Sequence, residues 1–216
     1  MGRYGTLRGV AVAAVAGAVL TGCSSEAPET KPSAKAAGEA AGKAKPSASA
    51  EARGTVIGGK GTPCVLPVSF ETAPQWTAEK VTVSEDADFA ALAEQGTVTL
   101  SCEVDAKPAG NVGFIRVWTG ADAKETPRKA LEAFVGAEKN ASKVVYAETK
   151  AGALPATEVT YTITSEFTDG PKPERAFAVS TPAGPVVVHL GGLDAEEHKA
   201  MLPAYERAKR TTALAG

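Results

Sequence analysis

The chain has 216 residues, with 23 Lys and Arg against 25 Asp and Glu, and a formal net charge of −2. Residues 64–216 are more acidic, with 15 basic against 21 acidic side chains and a net charge of −6. That balance argues against nucleic-acid binding and against a domain lying flat on anionic lipid, and the length allows one domain.

The first 22 residues read as an address. Arg3 and Arg8 form a basic start, and residues 9–20 are an apolar run of Val, Ala, Gly and Leu. The run is too short for a membrane span, which needs about 20 apolar residues, and it fits a secretory signal. It ends in Leu20-Thr21-Gly22-Cys23. This motif resembles the lipobox of bacterial lipoproteins. The resemblance implies that residues 1–22 are a signal peptide, cut away before Cys23. It implies acylation of the Cys23 thiol and then of the freed amine. The product would sit at the cell membrane, lipid-anchored and facing the extracytoplasmic side, without spanning it. The plainer alternative is a secreted protein with an incidental Cys.

Residues 24–62 are mostly Ala, Ser, Gly, Pro, Lys and Glu, and their only larger apolar side chains are Val56 and Ile57. Such a stretch buries too little apolar surface to offset the entropy of ordering it. We expect residues 23–63 to be the lipidated Cys and a disordered tether, and residues 64–216 to be the folded domain. Lipidation of Cys23 leaves Cys64 and Cys102, and the oxidising compartment predicts a disulfide between them. A redox or metal pair is the alternative, without the spacing or a third ligand to support it.

Within the domain, period-two alternation predicts strands and 3.6-residue periodicity predicts helices. A strand is expected over 65–70, followed by Pro74-Gln75-Trp76. A short helix is expected over 86–95. Residues 97–105 read as a strand, with Val98, Leu100, Cys102 and Val104 on one face. A turn at 107–111 leads to a strand over 112–119. Thr126-Pro127 reads as a helix cap with Pro at the first position, and that helix runs to about Asn140, burying Leu131, Phe134 and Val135. Residues 157–167 form the clearest strand, with Val159, Tyr161, Ile163 and Phe167 facing one way. After the turn at 169–172 come strands over 175–181 and 185–190. Asp194 caps a final helix, with Glu197 at capping-box spacing, Met201, Leu202, Tyr205 and Ala208 on its apolar face, and Pro203 expected to kink it.

These elements predict an α+β single domain, a mainly antiparallel sheet packed by helices. The order from the 65–70 strand through Pro74-Gln75-Trp76 to Gly191-Gly192-Leu193-Asp194 resembles the PsbP-like α/β domain found in lipoproteins of high-GC Gram-positive bacteria. The resemblance covers about residues 64–214 and implies a binding or assembly role.

No catalytic signature is present. There is no nucleophile elbow, no His-Glu-x-x-His and no phosphate-cradling loop, so neither a metal nor a cofactor is expected. Gly191-Gly192 reads as a tight strand-to-helix turn rather than an anion site. Glu196, Glu197 and His198 are neighbours on a helix and do not converge on a metal. The most informative strand holds Phe114, Arg116 and Trp118 on one face. Arg116 is expected between two rings under a helix, paired with Glu103 or Glu158. The functional alternative is a ligand pocket formed by Phe114, Arg116, Trp118 and His189. Three functions follow from this. The first is a tethered domain that binds an envelope protein, lipid or other ligand. The second is an envelope hydrolase using His189 or an acidic pair, and the third is a small-ligand or lipid carrier.

Overall fold

The sequence run Phe114-Ile115-Arg116-Val117-Trp118 is largely apolar on both faces and reads as a central strand covered on both sides. The computed structural model agrees. It describes residues 53–83, 90–164 and 170–216. Residues 48–216 form one compact unit.

Among the described residues the strands are β1 (Val56–Ile57), β2 (Val68–Glu71), β3 (Thr77–Lys80), β4 (Glu94–Gln95), β5 (Val98–Asp105) and β6 (Gly113–Thr119). Helix α1 (Pro127–Gly136) follows. Then come β7 (Ala141–Ala151), β8 (Leu154–Ile163), β9 (Lys172–Thr181), β10 (Gly184–Gly192), helix α2 (Ala195–Thr211) and β11 (Ala213–Leu214). The main sheet runs β3-β5-β6-β10-β9-β8-β7, with β4 on β5, and every pairing in it is antiparallel. A small sheet, β1-β2-β11, stands apart from it.

Both faces of the main sheet are covered. On one face α1 buries Leu131, Phe134 and Val135 against Val98, Trp118, Val159 and Val187. On the other, Met201, Tyr205 and Ala208 of α2 meet Ile115, Val117, Phe177, Val188 and Leu190. Val68 and Phe70 of the small sheet join that second core. The disulfide Cys64–Cys102 ties the loop before β2 to β5, with Cα atoms 5.9 Å apart.

Several expectations shift. The fold begins before Cys64: Val56–Ile57 pairs with β2, and Ile57 is fully buried, because two apolar side chains suffice to close the small sheet. The four apolar residues of β5 do not share a face. A bulge between Leu100 and Cys102 inserts one residue and reverses the alternation. Leu100 therefore packs with the α1 core while Cys102 and Val104 join the α2 core. The described part of the expected 86–95 helix is a 3-10 turn, Ala91–Ala93, and then β4. Residues 84–89 lie outside the described residues, as does Phe167. The α1 helix stops at Gly136, and Asn140 turns the chain into β7 with a φ of 65°. Asp194 caps α2 as expected, accepting from the Glu196 and Glu197 N–H groups. Glu197 uses its carboxylate on the Val112 N–H instead of closing a capping box. Pro203 sits inside α2, which spans its full length around it.

Candidate functional site

The α1 face changes character partway along its strands. On β10, Val187 is followed two residues on by His189 and then by Gly191. On β6, Trp118 is followed by Arg116 and Phe114 in the same direction across the sheet. Antiparallel register sets Glu103, Arg116 and His189 side by side, with Phe114 opposite Gly191 one step further on. Glu103 reaches this row because of the β5 bulge. Helix α1 covers the apolar level and leaves this charged level open.

Arg116 Nε donates to Glu103 Oε1 at 2.6 Å, and its guanidinium lies 4.9 Å from the Phe114 ring centroid. The Arg116 side chain is 34% exposed, so it lies at the end of the helix-covered region rather than beneath α1. Glu158, the other candidate partner, is on the opposite face, where it accepts from Tyr205 and pairs with Lys209.

His189 is nearly buried beside Phe134, with ring centroids 5.4 Å apart. Its Nε2 is 2.9 Å from Glu174 Oε2 and 3.3 Å from the Tyr161 hydroxyl. Glu174 is only 2% exposed, and its other oxygen takes the Lys172 ammonium. Burial alone would raise the Glu174 pKa. The hydrogen bond from His189, the electrostatic pull of that ring and the Lys172 charge outweigh it and hold the carboxyl below its ordinary range. An ionised carboxylate only accepts. Nε2 therefore donates to Glu174. Nδ1 is buried and meets no partner among the described residues. Burial, reinforced by the Glu174 charge, keeps the Tyr161 hydroxyl protonated.

A cleft of about 350 Å³ opens over this group. Arg116, Lys172, Glu174 and His189 give it polar walls, and Val112, Phe114, Ile163 and Leu193 give it an apolar rim. Gly191 lies between the two sets, and the side chain it lacks is part of the open space.

Of the four residues expected to form a pocket, Phe114, Arg116 and His189 line this cleft. Trp118 does not. It packs edge-on against Phe134 at 5.4 Å, under α1, because its place on β6 falls at the apolar level. Sequence reasoning misses Lys172, Glu174, Tyr161 and Gly191 as members of the site. A signal exists for two of them: Lys172, Glu174, Ala176 and Ala178 alternate along β9, but the Gly170-Pro171 turn draws the expected strand start to Arg175. The gap Gly191 leaves needs the fold to be seen.

His198 is buried against the far side of Gly192, and burial lowers its pKa. It does not converge with Glu196 and Glu197, and among the described residues no group of three His, Cys, Asp or Glu could hold a metal ion. A larger cleft, about 560 Å³, runs beside β5, lined by Thr97, Thr99, Ser101 and Thr119, with Lys80 as the charged group among its described lining residues. It carries no comparable charge constellation among those residues. The space beneath each helix is filled by core side chains, which counts against the carrier's deep apolar pocket.

Fold and site together define an α+β domain with a charged cleft at one end of an antiparallel sheet. No described helix is long and apolar enough to cross a membrane. The chain belongs to a family of uncharacterised lipoproteins, whose model matches residues 32–212. It is thus a lipoprotein, and that membership implies membrane anchoring. No curated protein and no solved structure matches the chain, so the PsbP-like comparison rests on the order of elements alone.

Proposed function

We propose that this lipoprotein is exported, cut before Cys23 and acylated there, and that it holds a small-ligand-binding domain at the extracytoplasmic face of the cell membrane. Residues from Cys23 to the first strand link anchor and domain. The chain enters the fold at Gly54, packed on the Thr72 backbone next to the C-terminal end of α2. The cleft lies by the other end of that helix, beside Leu193. Seventeen helical residues separate the two ends, about 25 Å at 1.5 Å per residue.

The observation that carries the binding reading is Glu174. A carboxylate 2% exposed, paired with His189 where two apolar side chains together would be at least as stable, lies at the floor of a cleft. Buried, perturbed charges in clefts are candidates for functional sites. The test is an NMR fragment screen on the mature chain in detergent micelles. Hits should cluster on the amides of Phe114, Gly191 and Leu193. Clustering along β5 instead, or no hits, overturns the reading. The anchor is tested separately: intact mass should show acyl groups on Cys23, and Cys23→Ser should lose them.

A second reading, an envelope hydrolase, draws on the Glu174–His189 pair. Among the described residues no Ser, Thr or Cys lines the cleft, so the nucleophile would be water activated by His189. Ester hydrolysis that disappears in His189→Ala would favour it over binding alone.

A further inference from the structure

We infer that the cleft takes a neutral carboxamide head group, which accepts from Arg116 and donates to Glu174, with an adjoining apolar group seated on the rim. This rests on the binding reading above and names its ligand class.

Three glycines meet at the cleft, and two of them are required by packing. A Cβ on Gly113 would lie 2.4 Å from Met201 Cε and 2.5 Å from the Gly191 carbonyl oxygen, and one on Gly192 would lie 2.8 Å from the His198 nitrogen. Gly191 is different. Its Cβ would make ordinary contacts, and its backbone is outside the left-handed region. A glycine inside a strand weakens it without such a reason. What its bareness provides is space in the cleft.

The surroundings of that space define the occupant. The point where the Cβ would stand is 3.8 Å from Arg116 Nη1, 3.8 Å from Glu174 Oε2 and 3.4 Å from His189 Cε1. Arg116 holds Glu103 through Nε, which leaves the outer guanidinium nitrogen toward the cleft. A ligand here meets a donor on one side and an acceptor on the other. A carboxylate or phosphate would gain Arg116 but face Glu174 and Glu138. An amine would gain Glu174 but face Arg116 and Lys172. A carboxamide satisfies both sides with its own oxygen and N–H and adds no net charge beside the Arg116–Glu103 and Lys172–Glu174 pairs. The rim favours an apolar neighbour, since Val112 and Leu193 are more than half exposed beside Phe114 and Ile163.

The experiment is an NMR titration of the mature chain in detergent micelles with four probes that share a branched alkyl tail: 4-methylpentanamide, 4-methylpentanoate, 3-methylbutylamine and leucine. The amide should shift the Gly191 and Phe114 resonances and bind at least tenfold more tightly than the acid or the amine. Gly191→Ala should weaken it at least tenfold without lowering the thermal midpoint. If the acid, the amine or leucine binds as tightly as the amide, the head-group inference falls while the site stands. If Gly191→Ala leaves amide affinity unchanged, the placement falls. If no probe shifts these resonances, the binding reading itself falls.

Discussion

Replacing Glu174 by Ala tests the charged row most directly. The side chain is 2% exposed, and its removal strands the His189 N–H, on a side chain 8% exposed, and the Lys172 ammonium, on a side chain 23% exposed. Removing one partner of a buried pair costs about 3–5 kcal/mol. Lys172 can turn to water, which places the cost near the lower end, about 3 kcal/mol. For a domain of this size each kcal/mol moves the thermal midpoint by about 2–4 °C, so the midpoint should fall by about 6–12 °C. The effect has a pH signature. The folded carboxyl titrates below its ordinary 4.5, so the unfolded state takes up a proton first as the pH falls. The stabilisation from Glu174 is complete above about pH 4.5 and is lost as the pH falls through the folded value. Urea unfolding followed by far-UV circular dichroism at pH 7, 5, 4 and 3 should show a constant gap between wild type and variant down to about pH 5, closing below it. A gap under about 1 kcal/mol at pH 7, or one as large at pH 3 as at pH 7, would refute the account of a buried, charged Glu174.

The Cys64–Cys102 bridge spans 38 residues, and the chain-entropy model gives it roughly 4 kcal/mol; urea midpoints with and without reductant should differ accordingly, and equal midpoints would show that the bridge adds nothing. His198 titrates below its ordinary 6.5 because of burial, partly opposed by Glu174 and aided by Arg175, His189 and Lys172. Its contribution is therefore full above about pH 6.5 and declines on acidification, so stability between pH 5 and 7 should be flatter in His198→Asn, and an unchanged slope would contradict a buried, neutral ring. Phe134 is fully buried between Trp118 and His189, so Phe134→Ala should cost about 3–5 kcal/mol and red-shift tryptophan emission; a loss below about 1 kcal/mol would mean α1 is not the lid of that core.

The strands that alternate cleanly are legible in the order of their residues. Val159 and Tyr161 share the α1 face as the pattern requires, and the Thr126 and Asp194 caps stand where their hydrogen-bonding side chains place them. What escapes the pattern does so for local causes. The bulge at Ser101 leaves no mark in composition, yet it decides which face Glu103 occupies. Strand β7 is largely exposed and shows no apolar alternation; it is held as a sheet edge by pairing with β8. Val56 and Ile57 are lost in a polar background, because two residues show no periodicity. At the site, the Arg116–Glu103 pair is among the partners the sequence offers. The Glu174–His189–Tyr161 cluster is not, because a contact among β8, β9 and β10 depends on register, which emerges only once the strands pair.

The cleft depends on a mismatch of lengths. Helix α1 has 10 residues and β10 has 9, so the helix is about 15 Å long and the strand about 30 Å. One helix of this size shields about half of the face. On β5, β6 and β10 the change from apolar to charged comes at the same level. It runs from Leu100 to Glu103 on β5, Trp118 to Arg116 on β6 and Val187 to His189 on β10, while β9 stays apolar through Ala176, the partner of His189, and turns charged one step further on at Glu174. Solvation alone explains why an uncovered level is polar. It does not explain why Glu174 and His189, within that level, are buried to 2% and 8%, since groups placed merely for solubility would reach water. Nor does packing explain Gly191, where a methyl group fits. Buried charge beside unfilled space is what a site held ready for a polar ligand requires, because the charges are oriented before the ligand arrives and little ordering remains to oppose binding.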